Sequence, residues 1–231
     1  GLDTEFMRER TYFAELCLVQ LSTEASLLAI DPLLNDDQAD FWQEAAAHEW
    51  VVHSARQDLE VIYQTAGVLP ALLFDTQIAA GLAGYSPHLG YAGLVKTLFD
   101  VELPKSHTRA NWTERPLPDA LLEYAAEDVE YLLPIRDALS EALDRLGRLE
   151  WVSADSALLL DRKLYEPDSE NAIERLKGAR NLKGQRRAAA TMLAHWREQR
   201  AILKDKPRLW IVRDPVVLDL ARRLPESLTA L

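Results

Sequence analysis

Three short apolar runs near the start of the chain, separated by polar turns, most strongly limit what this sequence can fold into. The runs lie at residues 2–7, 14–21 and 27–31, and their length and β-tolerant residues are typical of strands. We expect them to form a meander, with Pro32 ending the third strand. The sequence therefore predicts a sheet at the start of the chain.

One more strand and a series of helices are predicted after this meander. Residues 38–48 include three consecutive alanines and favour a helix, and residues 50–53 favour a short buried strand. Ser54 and Gln57 match a capping box, which predicts a helix to residue 66 that ends at Gly67. Further helices are predicted at 75–83, 91–99, 119–146 and 151–164, with a proline-containing loop at 103–118. This order predicts an α/β fold with a mixed sheet.

Charge divides the chain into two parts. Residues 1–160 carry 10 Lys and Arg against 27 Asp and Glu, whereas residues 161–231 carry 16 against 10. The polar stretch 166–170 is the best candidate for a linker, and the residues after it read as helices, apart from a strand pattern at 209–212. One interpretation places metal-binding carboxylates in the first part and phosphate contacts in the second. The alternative is a solvated acidic surface with a basic helix or two.

Composition excludes several classes of protein. The chain has 48% hydrophobic and 27% charged residues, which is typical of globular proteins and excludes collagen-like and disordered classes. There is no run of about 18 apolar residues, so a membrane span is not expected. The lone Cys17 favours a reducing cytoplasm. Because the chain begins without methionine and within a strand-like run, we expect a fragment, and no signal peptide is visible.

Acidic residues are found in places that need an explanation. Asp3 and Glu5 are two residues apart in a predicted strand, so both side chains point to the same face. Adjacent carboxylates repel each other unless a cation lies between them, which indicates a divalent metal ion; the alternative is an edge strand with a solvated polar face. Asp58 lies in the first turns of a predicted helix, where the helix dipole stabilises an acid whatever the function.

A tyrosine and an aspartate share one face of the predicted helix at 119–146. Tyr124 and Asp128 are spaced i,i+4, and the same face carries Leu121, Ala125 and Leu132. Burying an unpaired carboxylate is costly, so Asp128 needs a partner. A metal ion could be that partner, and an arginine or backbone amides are the alternatives.

The order of these residues along the chain resembles that in a known family. Asp3-x-Glu5 on a first strand, Asp58 opening a helix, and Tyr124-x-x-x-Asp128 on a late helix resemble the tyrosine-containing subclass of four-acid 3′–5′ exonucleases, and most closely the ribonuclease D family. The matching stretches are 2–6, 11–12, 53–61, 75–77, 90–92, 111–112, 115–117 and 124–134. In the tail, Trp196-Arg-x-x-Arg200 and Pro225-x-Ser-Leu228 resemble the start of a helical module shared with RecQ-type helicases.

The resemblance implies a fold and a domain organisation. It implies a ribonuclease H-like mixed sheet flanked by helices, followed by a small all-α domain. Residues 1–165 would be the exonuclease domain, truncated at its N-terminus, and residues 166–231 an incomplete helical nucleic-acid-binding domain. The implied partners are tRNA precursors and other structured RNA 3′ ends, bound by a cytoplasmic monomer without membrane attachment.

The resemblance also implies a reaction. The enzyme would release nucleoside 5′-monophosphates from RNA 3′ ends with two divalent ions, Mg²⁺ or Mn²⁺. Asp3, Glu5 and Asp128 would hold the first ion, while Asp3 and Asp58 would hold the second. Tyr124 would orient the attacking water, because a phenol that titrates near pH 10 is a poor base at neutral pH. The alternatives are a DNA exonuclease of the same chemistry and a catalytically silent nucleic-acid-binding module.

Substrate-binding residues are predicted in three places. Phe6 resembles the family residue that packs near the terminal nucleotide, although strand alternation equally favours core packing. In the loop at 103–118, Arg109 adds positive charge, and Trp112 either stacks on a base or packs in the core. In the basic tail the predicted phosphate contacts, or else residues of a solvated helix face, are Lys183, Arg186 and Arg187.

A histidine offers a different interpretation of the same site. His53 lies five residues before Asp58, which is the histidine spacing of the sister subclass of these exonucleases. That interpretation leaves Asp128 without a role. We therefore interpret His53 as a structural residue near the site.

Overall fold

Three antiparallel strands form the sheet at the start of the chain, as predicted. The computed structural model describes residues 1–34, 38–104, 110–227 and 229, and its first strands are β1 (Leu2–Met7), β2 (Glu15–Ser22) and β3 (Leu27–Ile30). They pair in the order β1-β2-β3. A bulge after Glu5 shifts the register so that Phe6 pairs with Leu16. The bulge changes the alternation of the strand directly after the two acids.

A parallel pair of strands completes the mixed α/β architecture. It is built by α1 (Ala39–Ala46), β4 (Glu49–Val52), α2 (Arg56–Ala66), β5 (Leu72–Asp75) and α3 (Thr76–Ala83). β4 and β5 are parallel, and α2 is the crossover between them. β5 was not predicted from the sequence, because four residues before a helix give too little periodicity to indicate a strand. The predicted mixed α/β fold is confirmed.

The helix predicted at 119–146 is wrong as a single element. The structure has α4 (Tyr91–Phe99), α5 (Asp119–Glu130), α6 (Leu132–Arg145) and α7 (Leu149–Ala157), with a break at Tyr131 between α5 and α6. Pro134 has no N–H to donate to Glu130, so it suits the first turn of a new helix and interrupts a continuous one. The helix predicted at 151–164 ends at Ala157 and continues as two short 3₁₀ turns.

Two hydrophobic clusters hold the helices against these strands. Val51 of β4 and Phe74 of β5 pack with α3, α4, α6 and α7, and the buried centre of this cluster includes Ile135 and Leu139. The second cluster joins Leu18 of β2 to α5. Burial of these side chains is the main force that holds α5, which carries the predicted Tyr124 and Asp128, over the sheet.

The chain divides into two compact units, of which the second is helical. The first unit contains Gly1–Met7 and Glu15–Tyr165; the second contains Arg8–Ala14 and the chain from Glu166 onward. The main helices of the second unit are α8 (Gly184–Lys204), α9 (Arg208–Ile211) and α10 (Asp214–Arg223). The strand pattern at 209–212 was misleading, because a helix starts after Pro207, whose carbonyl accepts the Trp210 N–H. No helix in the described ranges is both long and apolar enough to cross a membrane.

The segment between β1 and β2 belongs to the second unit, which the sequence analysis did not predict. Asp205 accepts the N–H groups of Tyr12 and Phe13 at 2.9 and 3.0 Å. The Tyr12 hydroxyl donates to Glu198 at 2.5 Å. These contacts join residues more than 180 positions apart, so no local pattern could have indicated them.

Candidate active site

β1 presents its two acids on the opposite side from its buried residues. Leu2 and Thr4 are buried, whereas Asp3 and Glu5 are only partly buried, as the predicted alternation requires. Asp128 lies on α5, which packs against β1, β2 and β3. Asp3, Glu5 and Asp128 each offer a carboxylate oxygen, and these oxygens all lie within 4.8 Å of one another. We call these three residues the carboxylate triad.

Burial and mutual repulsion raise the pKa values of the triad. Burial, followed by repulsion from Asp58 and Asp128, raises the pKa of Asp3 well above its ordinary value. The same causes raise the pKa of Glu5 to about 8, and burial raises that of Asp128 to about 6. In the described part of the chain, no lysine or arginine is among the main groups that set these pKa values. Burial and repulsion between acids therefore dominate the electrostatics of the triad, as far as the described residues show, and a bound cation would offset both.

Asp58 lies beside the triad and is held by a threonine. It is in the first turn of α2 and only 7% exposed. The Thr4 hydroxyl donates to its carboxylate at 2.6 Å. Burial raises the pKa of Asp58 to about 7, against the lowering effect of that hydrogen bond, and Asp58 in turn helps to raise the pKa values of Asp3 and Glu5. Thr4 was not predicted to be a site residue, because its only signal in the sequence was its position between two acids.

The start of α2 differs from the predicted capping box. No side-chain cap bonds the first turn of this helix, and Ser54 has a positive φ of 62°. Instead, the carboxylate of Asp75 accepts the N–H groups of Ser54 and Ala55 at 3.2 and 2.8 Å. Asp75 also caps α3 by accepting the N–H of Gln77 at 2.8 Å. Asp75 is thus an acid that serves the fold, by fixing the turn that leads into Asp58.

Tyr124 contacts Asp128 as the i,i+4 spacing predicted. Its hydroxyl hydrogen-bonds the Asp128 carboxylate. Burial and the neighbouring acids raise the pKa of Tyr124 further above its ordinary value, so its hydroxyl stays protonated at neutral pH. Such a hydroxyl can orient a water molecule but cannot remove a proton from it.

The structure favours core packing for Trp112. This residue is 2% exposed and lies in the cluster of Leu18 and α5, with its ring 6.1 Å from that of Tyr124. A base has no exposed ring face to stack on, so the prediction that Trp112 binds substrate is corrected: it packs behind Tyr124. Phe6 is partly exposed directly after the bulge, and its contact with substrate stays a prediction.

The remaining predicted binding residues fall into two groups. Arg109 lies outside the described residues, as does Leu228 of the tail resemblance, which was not predicted to bind substrate. Lys183, Arg186 and Arg187 are exposed around the start of α8 in the second unit, where Arg187 lies 3.4 Å from Glu174. Their contact with phosphate groups stays a prediction.

Both ring nitrogens of His53 are used within the fold. Nδ1 lies 2.9 Å from the Thr76 hydroxyl, and Nε2 lies 3.1 Å from the Leu89 carbonyl. A carbonyl can only accept, so Nε2 carries the proton. Burial lowers the pKa of His53, which favours the neutral ring. These contacts agree with the interpretation of His53 as a structural residue.

The donor set suits hard divalent cations. Carboxylate oxygens are the ligands that Mg²⁺ and Mn²⁺ prefer, and the triad offers three of them with a fourth acid beside it. A bound dication would offset the repulsion between acids that helps to raise these pKa values. A carboxylate cluster that can hold divalent ions is found in several classes of metal-dependent enzyme, among them the phosphodiester nucleases, and this site fits that class.

Comparison with known proteins gives the family within this class. The family described as 3′–5′ exonuclease matches residues 1–144, and the chain belongs to this family. The ribonuclease D of Xanthomonas oryzae pv. oryzae is 41% identical over 233 residues, covering 100% of this chain and 64% of that relative. The resemblance to ribonuclease D is thereby confirmed. The chain spans about three fifths of the length of the curated relatives that it matches.

Solved structures show the same likeness. Escherichia coli RNase D, described as an exoribonuclease involved in structured RNA processing, superposes with a TM-score of 0.91 at 34% identity, covering 99% of this chain and 61% of that one. Brucella melitensis NrnC with bound Mg²⁺ has a TM-score of 0.60 at 26% identity, covering 79% of this chain and 87% of that one. A structural relative of this fold therefore binds a divalent metal ion.

Proposed function

We propose that this protein is a metal-dependent 3′–5′ exoribonuclease that releases nucleoside 5′-monophosphates from RNA 3′ ends. The observation that carries the proposal is the meeting of Asp3, Glu5 and Asp128, whose carboxylate oxygens lie within 4.8 Å of one another, with Asp58 close enough to raise the pKa values of Asp3 and Glu5. Membership of the 3′–5′ exonuclease family and likeness to ribonuclease D over the whole chain support it.

Each acid has a role in this proposal. Asp3, Glu5 and Asp128 would hold one divalent ion, and Asp3 with Asp58 would hold a second. Bound Mg²⁺ or Mn²⁺ would supply an activated water and neutralise charge on the phosphate and the leaving oxygen. Thr4 keeps the Asp58 carboxylate in place, and the Tyr124 hydroxyl, fixed by Asp128, orients the attacking water.

The second unit is proposed to bind nucleic acid. We assign the exonuclease domain to residues 1–165 and a helical nucleic-acid-binding domain to residues 166–231, with the exposed Lys183 and Arg186 as phosphate contacts. The proposed substrates are tRNA precursors and other structured RNA 3′ ends, acted on by a monomer. Cys17 is buried and unpaired, which is compatible with the proposed cytoplasmic location.

Metal removal tests the proposal directly. A single-stranded RNA labelled at its 5′ end should shorten stepwise from its 3′ end and release nucleoside 5′-monophosphates in Mg²⁺ or Mn²⁺. EDTA should stop the reaction, and either ion in excess should restore it. A DNA of the same sequence, run beside the RNA, decides between ribonuclease and deoxyribonuclease. Shortening that survives EDTA, or cleavage at internal positions, would contradict the proposed function.

A further inference from the structure

The break between α5 and α6 contains a side chain from another helix. In an unbroken α-helix the N–H of Tyr131 would donate to the carbonyl of Glu127. Here the hydroxyl of Tyr91, the first residue of α4, accepts the Tyr131 N–H at 3.0 Å and donates to the Glu127 carbonyl at 2.9 Å. The Tyr91 hydroxyl is thus inserted into the hydrogen-bond ladder of the helix, which is a known cause of helix breaks.

The Tyr91 hydroxyl bonds the backbone on both sides of Asp128, one of the four acids. The Glu127 carbonyl and the Asp128 amide belong to the same peptide unit, and a peptide unit is planar. Fixing that carbonyl therefore fixes the plane that enters the Asp128 Cα. The hydrogen bond from the Tyr131 N–H to the same hydroxyl fixes the backbone three residues after Asp128. Asp128 lies between these two points, in the turn that ends α5.

Tyr91 is itself held from the far side by His53. The Nε2–H of His53 donates to the Leu89 carbonyl at 3.1 Å, next to Gly90, which caps α4. The rings of His53 and Tyr91 contact each other at a centroid distance of 6.0 Å, nearly edge to face. The end of β4 therefore fixes the turn from which Tyr91 reaches α5.

We propose that Tyr91 is a positioning residue for metal binding by Asp128, acting through the Glu127–Asp128 peptide. This inference rests on the proposed function, because it assigns Tyr91 to the same site. Residues that orient metal ligands without touching the metal commonly change metal affinity or activity about 10- to 100-fold when mutated. Tyr91 acts through backbone rather than through the carboxylate, so we expect the lower end of that range.

The experiment compares Tyr91→Phe with Tyr165→Phe in the full 231-residue chain. Tyr165 is a matched control because its hydroxyl also donates to a backbone carbonyl, that of Leu159, at 2.5 Å, and none of its described contacts involves the four acids. Mn²⁺ binding is measured by electron paramagnetic resonance without RNA. The melting temperature, kcat and KM are measured on the same samples.

Tyr91→Phe should weaken Mn²⁺ binding about 10-fold and lower kcat about 10-fold with little change in KM, because the RNA contacts are intact. Tyr165→Phe should lower the melting temperature by a similar amount and leave Mn²⁺ affinity and kcat unchanged. Wild-type Mn²⁺ affinity in Tyr91→Phe, or equal weakening in both variants, would overturn the proposal. If Tyr91→Phe does not fold, His53→Gln is measured in its place. It should also weaken Mn²⁺ binding and lower kcat, and wild-type values of both would overturn the proposal.

The two proposals fail in different ways. Wild-type protein that binds Mn²⁺ and leaves RNA intact would contradict the proposed function, while the Mn²⁺ measurement would still report on Tyr91. Wild-type activity and Mn²⁺ affinity in Tyr91→Phe would contradict only the positioning role of Tyr91 and would leave the proposed function standing.

Discussion

Two sets of acids, Glu198 in the helical unit and the carboxylate triad in the first unit, have opposite surroundings. In the helical unit Glu198 is 1% exposed, accepts the Tyr12 hydroxyl, and lies 3.2 Å from Arg175 and 3.6 Å from Arg208. In the first unit the charged groups that most affect the pKa of Asp3 are other acids, namely Asp58, Asp128 and Glu5. Two arginines compensate Glu198 within the fold, whereas burial and repulsion from other acids raise the pKa values of the triad, an effect that a bound cation would offset.

The difference shows how a functional acid can be told from a structural one. Asp75 and Glu198 satisfy their oxygens with backbone N–H groups or with cationic side chains, so the fold gains from each of them. The triad costs the fold stability because its charges repel one another. Replacing an acid of each kind should therefore have opposite effects on activity and on stability.

The largest expected effect is on activity at the triad. Asp128→Asn should lower the rate of RNA shortening about 1000-fold, because a metal ion contributes several kcal/mol to transition-state stabilisation. The fold should remain intact, since an amide removes a repelling charge. Rates are measured under single-turnover conditions. Glu123→Gln, an exposed acid on the same helix, is the matched control and should keep the wild-type rate; a fully active Asp128→Asn would refute the assignment.

The next effect is on stability as a function of pH without metal. The folded pKa values of Glu5, Asp58 and Asp128 lie near 8, 7 and 6, above their ordinary values. Below about pH 4 both states hold these protons, but between pH 4 and 8 the folded state keeps protons that the unfolded state releases. Stability should therefore fall as pH rises from 5 to 8.5, by about 2 kcal/mol or more. Urea unfolding in EDTA measures this fall.

Two comparisons sharpen the pH experiment. Mg²⁺ or Mn²⁺ should reduce the loss of stability at pH 8.5, because a dication offsets the ionised acids. Asp128→Asn in EDTA should show a shallower fall than the wild type, because one repelling charge is gone. Stability that rises over this range, or that is unaffected by the metal, would mean that the triad is compensated by groups within the protein.

A smaller effect is expected at the paired acid. Glu198→Gln removes the charge that balances Arg175 and Arg208, while the Tyr12 hydroxyl can still donate to the amide oxygen. The free energy of unfolding should fall by about 1–2 kcal/mol, with Mn²⁺ affinity unchanged. Urea unfolding and Mn²⁺ binding are measured together. If Glu198→Gln lost Mn²⁺ affinity and kept its stability, Glu198 would be a metal-binding acid rather than a structural one, which would contradict the contrast drawn here.

The smallest effect concerns the surface charge of the helical unit. Lys183→Gln with Arg186→Gln should reduce the salt dependence of RNA binding, lowering the slope of log affinity against log salt by about 1.4. Lys204→Gln with Lys206→Gln makes the same charge change at exposed residues near the other end of α8 and serves as the control. Equal slopes in the two double variants would show that the residues around the start of the helix are a solvated face.

The sequence predicted what depends on local spacing. The alternation of Asp3 and Glu5 and the i,i+4 pairing of Tyr124 with Asp128 follow from strand and helix geometry, and the structure has both. Asp58 was added to the predicted site because the order of the acids along the chain resembles that of the family. The same order predicted the family, and the strand and helix patterns predicted the mixed α/β fold.

Features that depend on distant partners were missed. Ser54 and Gln57 matched a capping box, but Asp75 supplies the N–H contacts from another strand end. The break at Tyr131 required a hydroxyl from α4, forty residues earlier in the chain. Thr4 looked like an ordinary strand residue until α2 placed Asp58 beside it. None of these contacts leaves a periodic signal.

The route of the chain through residues 8–14 limits how the protein can be shortened. This connector leaves β1 two residues after Glu5, is held by Asp205 and Glu198, and returns as β2. A fragment cut after Tyr165 would keep all four acids and yet strip the connector of the groups that bind its backbone and its tyrosine. Engineering a minimal nuclease from this scaffold therefore calls for a rebuilt hairpin loop as well as a new terminus.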